Sequence, residues 1–199
     1  MRSSIQERRG SSGFSLIEVL VALVVLSFGL LGMVGMQAVA LQNNREARLQ
    51  SVAVDLAREL AEMMRGNKDI ATLSGANPYV GDFSGTPLAP ATASSCLSTG
   101  CSDTTQVANA EMTDWLARVE ANLPGARVTI CPDSSPYLAG LPQWTCTAGA
   151  ANDVMVVKIG WSRLSTNTAD QERNIRTNAA RADNRPGVVL PLTAGSTTL

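Results

Sequence analysis

Residues 13–20 read Gly13-Phe14-Ser15-Leu16-Ile17-Glu18-Val19-Leu20, and they decide how the rest of this 199-residue chain is built. They open a run, Phe14 to Leu41, in which Glu18 is the one charged side chain. A short segment containing Arg2, Arg8 and Arg9 precedes it. As a helix rising about 1.5 Å per residue, the run extends about 42 Å, more than the roughly 30 Å hydrocarbon core of a bilayer. It spans a membrane with tilt. A lone carboxylate at bilayer depth costs roughly 2.5–3.5 kcal/mol on insertion scales. A chain that keeps one there needs a positive partner for it.

Gly13-Phe14-Ser15-Leu16-Ile17-Glu18 resembles the prepilin-peptidase signal of type IV pilins and type II secretion pseudopilins. In that family a small residue ends a short basic leader, and the peptidase cuts after it on the cytoplasmic side. The new N-terminal Phe is N-methylated, and an acid follows four residues later. The resemblance covers about the first 65 residues. It implies cleavage between Gly13 and Phe14, methylation of Phe14, and an assembly role for Glu18. A looser resemblance, carried by the leader, by Leu20-Val21-Ala22-Leu23-Val24-Val25-Leu26-Ser27 and by a small C-terminal domain, is to PilV-type minor pilins. GspI-type pseudopilins are near relatives.

The resemblance implies an α+β, type IV pilin-like fold, with a long N-terminal helix packed on a small antiparallel sheet. It implies a structural rather than enzymatic role in priming a pilus or forming its tip complex, supporting twitching motility and adhesion. The alternative is a minor pseudopilin of type II secretion. The partners implied are other minor pilins, the major pilin, the prepilin peptidase, the inner-membrane assembly platform and a large tip adhesin. The location implied is the inner membrane with a periplasmic head, then the pilus. Major pilins usually carry a Pro that kinks the membrane helix. This chain has none between Phe14 and Leu41 and has Gly29, Gly32 and Gly35 there instead.

Two readings of Glu18 stand on physics alone: pairing with the terminal amine of its own Phe14, or with that of a neighbouring subunit. The resemblance favours the neighbour. The glycine series also has two readings. It is ordinary membrane-helix composition, or it is a surface for close packing and local loosening. Its spacing is three, not the four of a G-x-x-x-G face.

Composition narrows the function classes. Without residues 1–13 the chain holds 13 basic and 16 acidic side chains, formally −3. Nucleic acid wants a clustered basic face, so it is not an expected partner. There is no histidine, which removes the usual proton shuttle and the commonest metal ligand. No P-loop, dinucleotide fingerprint or G-x-S-x-G elbow is found; in Gly81-Asp82-Phe83-Ser84-Gly85 the Ser stands one place too late. A membrane-tethered periplasmic enzyme is therefore disfavoured, and neither cofactor nor metal is expected. Ala38-Val39-Ala40 resembles a signal-peptidase site, but the apolar run is longer than the usual 7–15-residue h-region and carries an acid near its start.

Four cysteines, Cys96, Cys101, Cys131 and Cys146, lie beyond the apolar run. The arginines of the leader stay cytoplasmic by the positive-inside rule, which puts the thiols in an oxidising compartment. An even count there reads as two disulfides. Three pairings exist; the local ones, Cys96–Cys101 and Cys131–Cys146, are favoured. A site of four thiolates is the competing reading, but the spacings do not fit paired C-x2-C knuckles.

Five segments follow. Residues 1–13 are the leader and 14–41 the membrane or filament-core helix. Residues 42–66 are its amphipathic continuation, with Leu49, Val52, Ala53, Leu56, Leu60 and Met63 at helical spacing and Gly66 as the stop. Residues 67–164 form the head. Gly66 to about Ala110 reads as loop, and Glu111 to Asn122 as a short helix. Strands are expected at Arg127–Cys131, at Gln143–Thr147 and within Asp153–Leu164. In the last, Val154, Val156 and Trp161 are expected inside, with Lys158 and Arg163 outside. Residues 165–199 read as a polar, mobile tail, with Val188-Val189-Leu190 an edge strand and the arginines a competing partner-binding arm.

Overall fold

A computed structural model describes residues 13, 15–96, 98–149, 153–162 and 185–193. The remainder of the leader, Phe14, Arg163 and most of the tail lie outside the described residues. Contacts divide the chain into two compact units, Met1–Asn44 and Arg45–Leu199. Helix α1, Leu16–Gly66, contributes to both.

In the first unit every described residue of α1 as far as Leu41 is exposed, and no Pro or break interrupts the helix at Gly29, Gly32 or Gly35. It is long and apolar enough to cross a membrane. In the second unit, the stretch of α1 from Arg45 buries one stripe, Ala53, Leu56, Ala57, Leu60, Ala61 and Met64. Small residues alternate with Leu and Met along that stripe, which lets other elements approach closely. Leu49, Val52 and Met63 flank it half-buried.

A one-turn helix α2, Lys68–Ala71, follows. Strand β1, Gly81–Phe83, and helix α3, Thr104–Asn122, come next. Both α2 and β1 fall in the stretch expected to be loop, and α3 begins seven residues before the expected Glu111. The reason for the early start is an N-cap. Asp103 Oδ1 accepts from the Gln106 backbone N–H at 2.8 Å, while Gln106 Oε1 accepts from the Ser102 N–H at 3.3 Å. This reciprocal arrangement satisfies two backbone donors. The Gln106 N–H first, and then the Ser102 hydroxyl, which donates to Asp103 Oδ2 at 3.0 Å, hold the Asp103 carboxyl below the usual carboxylate range.

Strands β2, Arg127–Asp133, β5, Val154–Gly160, and β6, Val188–Pro191, complete an antiparallel sheet in the order β1-β2-β5-β6. Between β2 and β5 lies a small hairpin of β3, Tyr137–Leu138, and β4, Leu141–Pro142. Its two-residue turn has positive φ at both Ala139 (52°) and Gly140 (77°), as a primed turn requires.

The expected strand at Gln143–Thr147 does not form. β4 ends at Pro142, and residues 143–147 cross the outer face of the sheet as irregular chain. Val156 and Trp161 are buried as expected, but Val154 is exposed and Lys158 is fully buried. The inner face of β5 is instead Val157 and Ile159, which share one core with Val128, Ile130, Leu56, Leu60, Trp115 and Leu116. Its outer face is covered by residues 143–147, so strict alternation of inside and outside fails there. β6 occupies the sheet edge, as expected for Val188–Leu190.

The segment between α2 and α3 has little regular structure but is tied down. Asn77 Nδ2 donates to the Ala71 carbonyl (3.0 Å), the Leu88 N–H donates to Glu120 (3.1 Å), and the Ser94 N–H donates to Thr113 Oγ1 (3.0 Å). Tyr79, fully buried, donates its hydroxyl to Glu111 at 2.5 Å. Burial first, then Glu111, raises the Tyr79 pKa. Trp115 Nε1 donates to the Leu56 carbonyl at 2.9 Å, and Arg118 pairs with Glu59 at 2.6 Å, fastening α3 to α1.

Candidate assembly segment and the polar cluster behind the sheet

Gly13 is exposed and precedes the helix. The Ser15 carbonyl accepts from the N–H groups of Glu18 (3.0 Å) and Val19 (3.3 Å), so the first turn of α1 starts immediately after the expected cleavage position. Glu18 stands in that first turn, where the positive end of the helix dipole favours a carboxylate. Its side chain is exposed, and among the described residues no cation pairs with it. Ala22 lies one turn on and leaves a shallow hollow beside it, bounded by Val19, Leu23 and Leu26. Phe14, the other half of the expected processing site, lies outside the described residues.

Gly29, Gly32 and Gly35 are helical, and a Cβ built on any of them meets nothing within 4 Å. No contact inside the described chain requires glycine at these positions. Successive members, three residues apart, turn about 60° around the helix, so the series winds over the surface instead of marking one stripe.

The head holds a second concentration of polar groups, on the outer face of the sheet. Cys131 and Cys146 form a disulfide, as do Cys96 and Cys101. Beside the first, Lys158 Nζ donates to Asp133 Oδ2 (2.6 Å), to the Thr145 carbonyl (2.7 Å) and to the Trp144 carbonyl (3.4 Å). Asp133 Oδ1 accepts from the N–H groups of Ser135 (2.8 Å) and Thr147 (3.1 Å). Arg127 is gripped by Asp82 through Nε (3.1 Å) and Nη2 (2.6 Å), and its guanidinium stacks 4.5 Å from the Trp144 ring centre. Cys131, Asp133 and Cys146 are close enough together to suggest a metal site. Their sulfurs are already joined to each other and the carboxylate already serves Lys158, so they offer no thiolate. Sequence reasoning missed this cluster because its members come from four separate segments, Asp82, residues 127–135, residues 144–147 and Lys158.

The prokaryotic N-terminal methylation motif matches residues 8–34. The type IV pilin Tt1218 model matches residues 35–115. The two stretches abut and take in both the membrane-length helix and the first half of the head. This chain is a type IV pilin-family protein. No curated protein and no solved structure matches it. The family is structural rather than enzymatic, and the long helix on a small antiparallel sheet is the fold expected of it. The apolar helix and methylation motif fit a membrane-anchored pilin, and family membership suggests pilus-assembly partners in general.

Proposed function

We propose that this pilin is a minor subunit, made as a prepilin and anchored in the inner membrane by residues 14–41 with its head in the periplasm. The reading is carried by one observation: a helix uninterrupted from Leu16 to Leu41, exposed on every side, with a single carboxylate in its first turn. Such a surface needs lipid or other helices around it. Cleavage between Gly13 and Phe14 creates an amine, later methylated. Glu18 of one subunit neutralises the amine of its neighbour. In a medium of low dielectric each ion has few other partners, so the pair favours docking in one axial register.

The absence of Pro from the membrane helix supports a minor rather than a major role. The subunit works with other minor pilins in a priming or tip complex beside the major pilin, after the prepilin peptidase and on the inner-membrane assembly platform. A large tip adhesin is a further partner. Its contribution to twitching motility and adhesion is structural and requires no cofactor. Mass spectrometry of the mature N-terminus tests the processing step: methylated Phe14 is expected, and Met1 or Leu41 overturns it. Deletion tests the system. Loss of surface pili is expected, whereas loss of exoprotein export with normal pili assigns the chain to type II secretion.

A further inference from the structure

Arg45 is the first charged residue beyond the apolar run, and Arg48 follows it about one turn along α1. Both are exposed. Elsewhere in the head arginine is spent on carboxylates: Arg58 pairs with Asp55, Arg65 with Glu62, Arg118 with Glu59 and Arg127 with Asp82. Among the described residues neither Arg45 nor Arg48 has such a partner. Helix geometry gives the reason. Residues three and four apart face one another, and those one or two apart do not. For Arg45 the facing positions hold Leu41, Gln42, Arg48 and Leu49; for Arg48 they hold Asn44, Arg45, Ser51 and Val52. The nearby acid, Glu46, stands next to Arg45 and two residues before Arg48, and its carboxylate accepts from Trp161 Nε1 at 3.3 Å.

Two like charges therefore share one helix face with no acid beside them. Such a pair is destabilising by itself, and it becomes favourable when one anion sits between the two guanidiniums, whose forked donors match phosphate oxygens. The pair also stands at a telling depth. Arg45 follows Leu41 by four residues, about 6 Å along a helix, within the roughly 5–8 Å headgroup layer that flanks the hydrocarbon on each side of a bilayer. Helical Cα–Cβ bonds tilt toward the N-terminus, so both long side chains lean back toward the apolar run. Positive charge at this end of the run opposes the orientation that the leader arginines set, so membrane topology does not account for it.

We infer that Arg45 and Arg48 clamp the phosphate of an anionic phospholipid in the leaflet on the side of the head. The clamp fixes how far α1 emerges from the bilayer and so holds the subunit at one depth before assembly. A lipid carrying net negative charge is preferred to a zwitterionic one, because two cations with no acid beside them leave surplus positive charge. To that extent the contact rests on the membrane-anchored reading.

The test takes the full chain from membranes into maltoside micelles and titrates it with palmitoyl-oleoyl phosphatidylglycerol or, separately, with the phosphatidylcholine of the same acyl chains. Native mass spectrometry counts the lipids retained. Phosphatidylglycerol should be retained preferentially, and Arg45→Gln with Arg48→Gln should weaken its binding by about tenfold or more. Arg58→Gln with Lys68→Gln removes the same charge from exposed positions further along the chain and should leave that binding unchanged. Equal retention of the two lipids, equal loss in both double variants, or no loss in either overturns the clamp and leaves the anchored reading standing. So does an Arg45, Arg48 variant that keeps its lipid but is lost from sheared filaments, which assigns the pair to carboxylates of a neighbouring subunit. A chain absent from the membrane fraction strikes the anchored reading, and the clamp with it.

Discussion

Lys158 Nζ lies 2.6 Å from Asp133 Oδ2, and neither side chain has any solvent exposure. The pair joins β5 to the end of β2 and, through the Thr145 carbonyl and Thr147 N–H, to the chain crossing the sheet. Removing one partner strands a buried charge. Lys158→Met should cost about 3–5 kcal/mol, and Lys158→Met with Asp133→Asn should cost less than the single change. Denaturant titration checks both. Burial pushes the Asp133 carboxyl up, but the hydrogen bonds from Lys158, Ser135 and Thr147 outweigh it and hold the carboxyl below the usual range. A carboxylate with a lowered folded pKa stabilises fully above its unfolded value of about 3.9. That contribution falls as the pH drops through the folded pKa. Stability should therefore decline below about pH 4, and Asp133→Asn should flatten that limb.

The two disulfides close rings of different size, with sequence separations of 5 and 15. Chain-entropy reasoning gives about 2 kcal/mol for the smaller and about 3 kcal/mol for the larger. Cys131→Ser with Cys146→Ser should therefore lower the melting temperature more than Cys96→Ser with Cys101→Ser. Thiol titration of the untreated protein under denaturing conditions should find no free thiol; four reactive thiols would contradict both bridges.

Ala139 adopts φ 52° in the hairpin turn, a conformation that brings its Cβ close to the following carbonyl oxygen. Asn tolerates this region, and Asn-Gly is the favoured pair for such a turn. Ala139→Asn should stabilise the head by roughly 0.5–1 kcal/mol, read as a rise of about 1–4 °C in melting temperature. An unchanged or lower value would mean the turn is not primed in solution.

Processing and assembly separate cleanly by mutation. Gly13→Val should leave a full-length precursor on immunoblots and no chain in sheared filaments. Glu18→Val should still insert, since a charge has been removed from the apolar run, yet its incorporation should fall by about tenfold or more. Normal incorporation would show that the carboxylate is dispensable.

The helix and its two characters were legible because periodicity and charge carry that information locally. Phe14 to Leu41 lacks charges apart from Glu18, and the buried stripe ends near Gly66. The start of α3 was missed: Asp103 followed by Gln106 is a capping pattern, but the Ser- and Thr-rich composition around it reads as loop, and the helix was expected only from Glu111. Lys158 was not legible. An alternating strand places it outside, and only the chain returning to Cys146 covers it, an event fixed by contacts remote in sequence. The same returning chain reads as a strand, but it spends its polar groups on Lys158 and Ser134 rather than on a ladder.

Gly29, Gly32 and Gly35 have open space where a methyl group would go. Alanine there would strengthen an isolated helix by up to about 1 kcal/mol per position. A solitary molecule would register such exchanges as improvements. If a polymer registers them as defects, the gap between the two responses measures a crowding that belongs to the company and not to the individual.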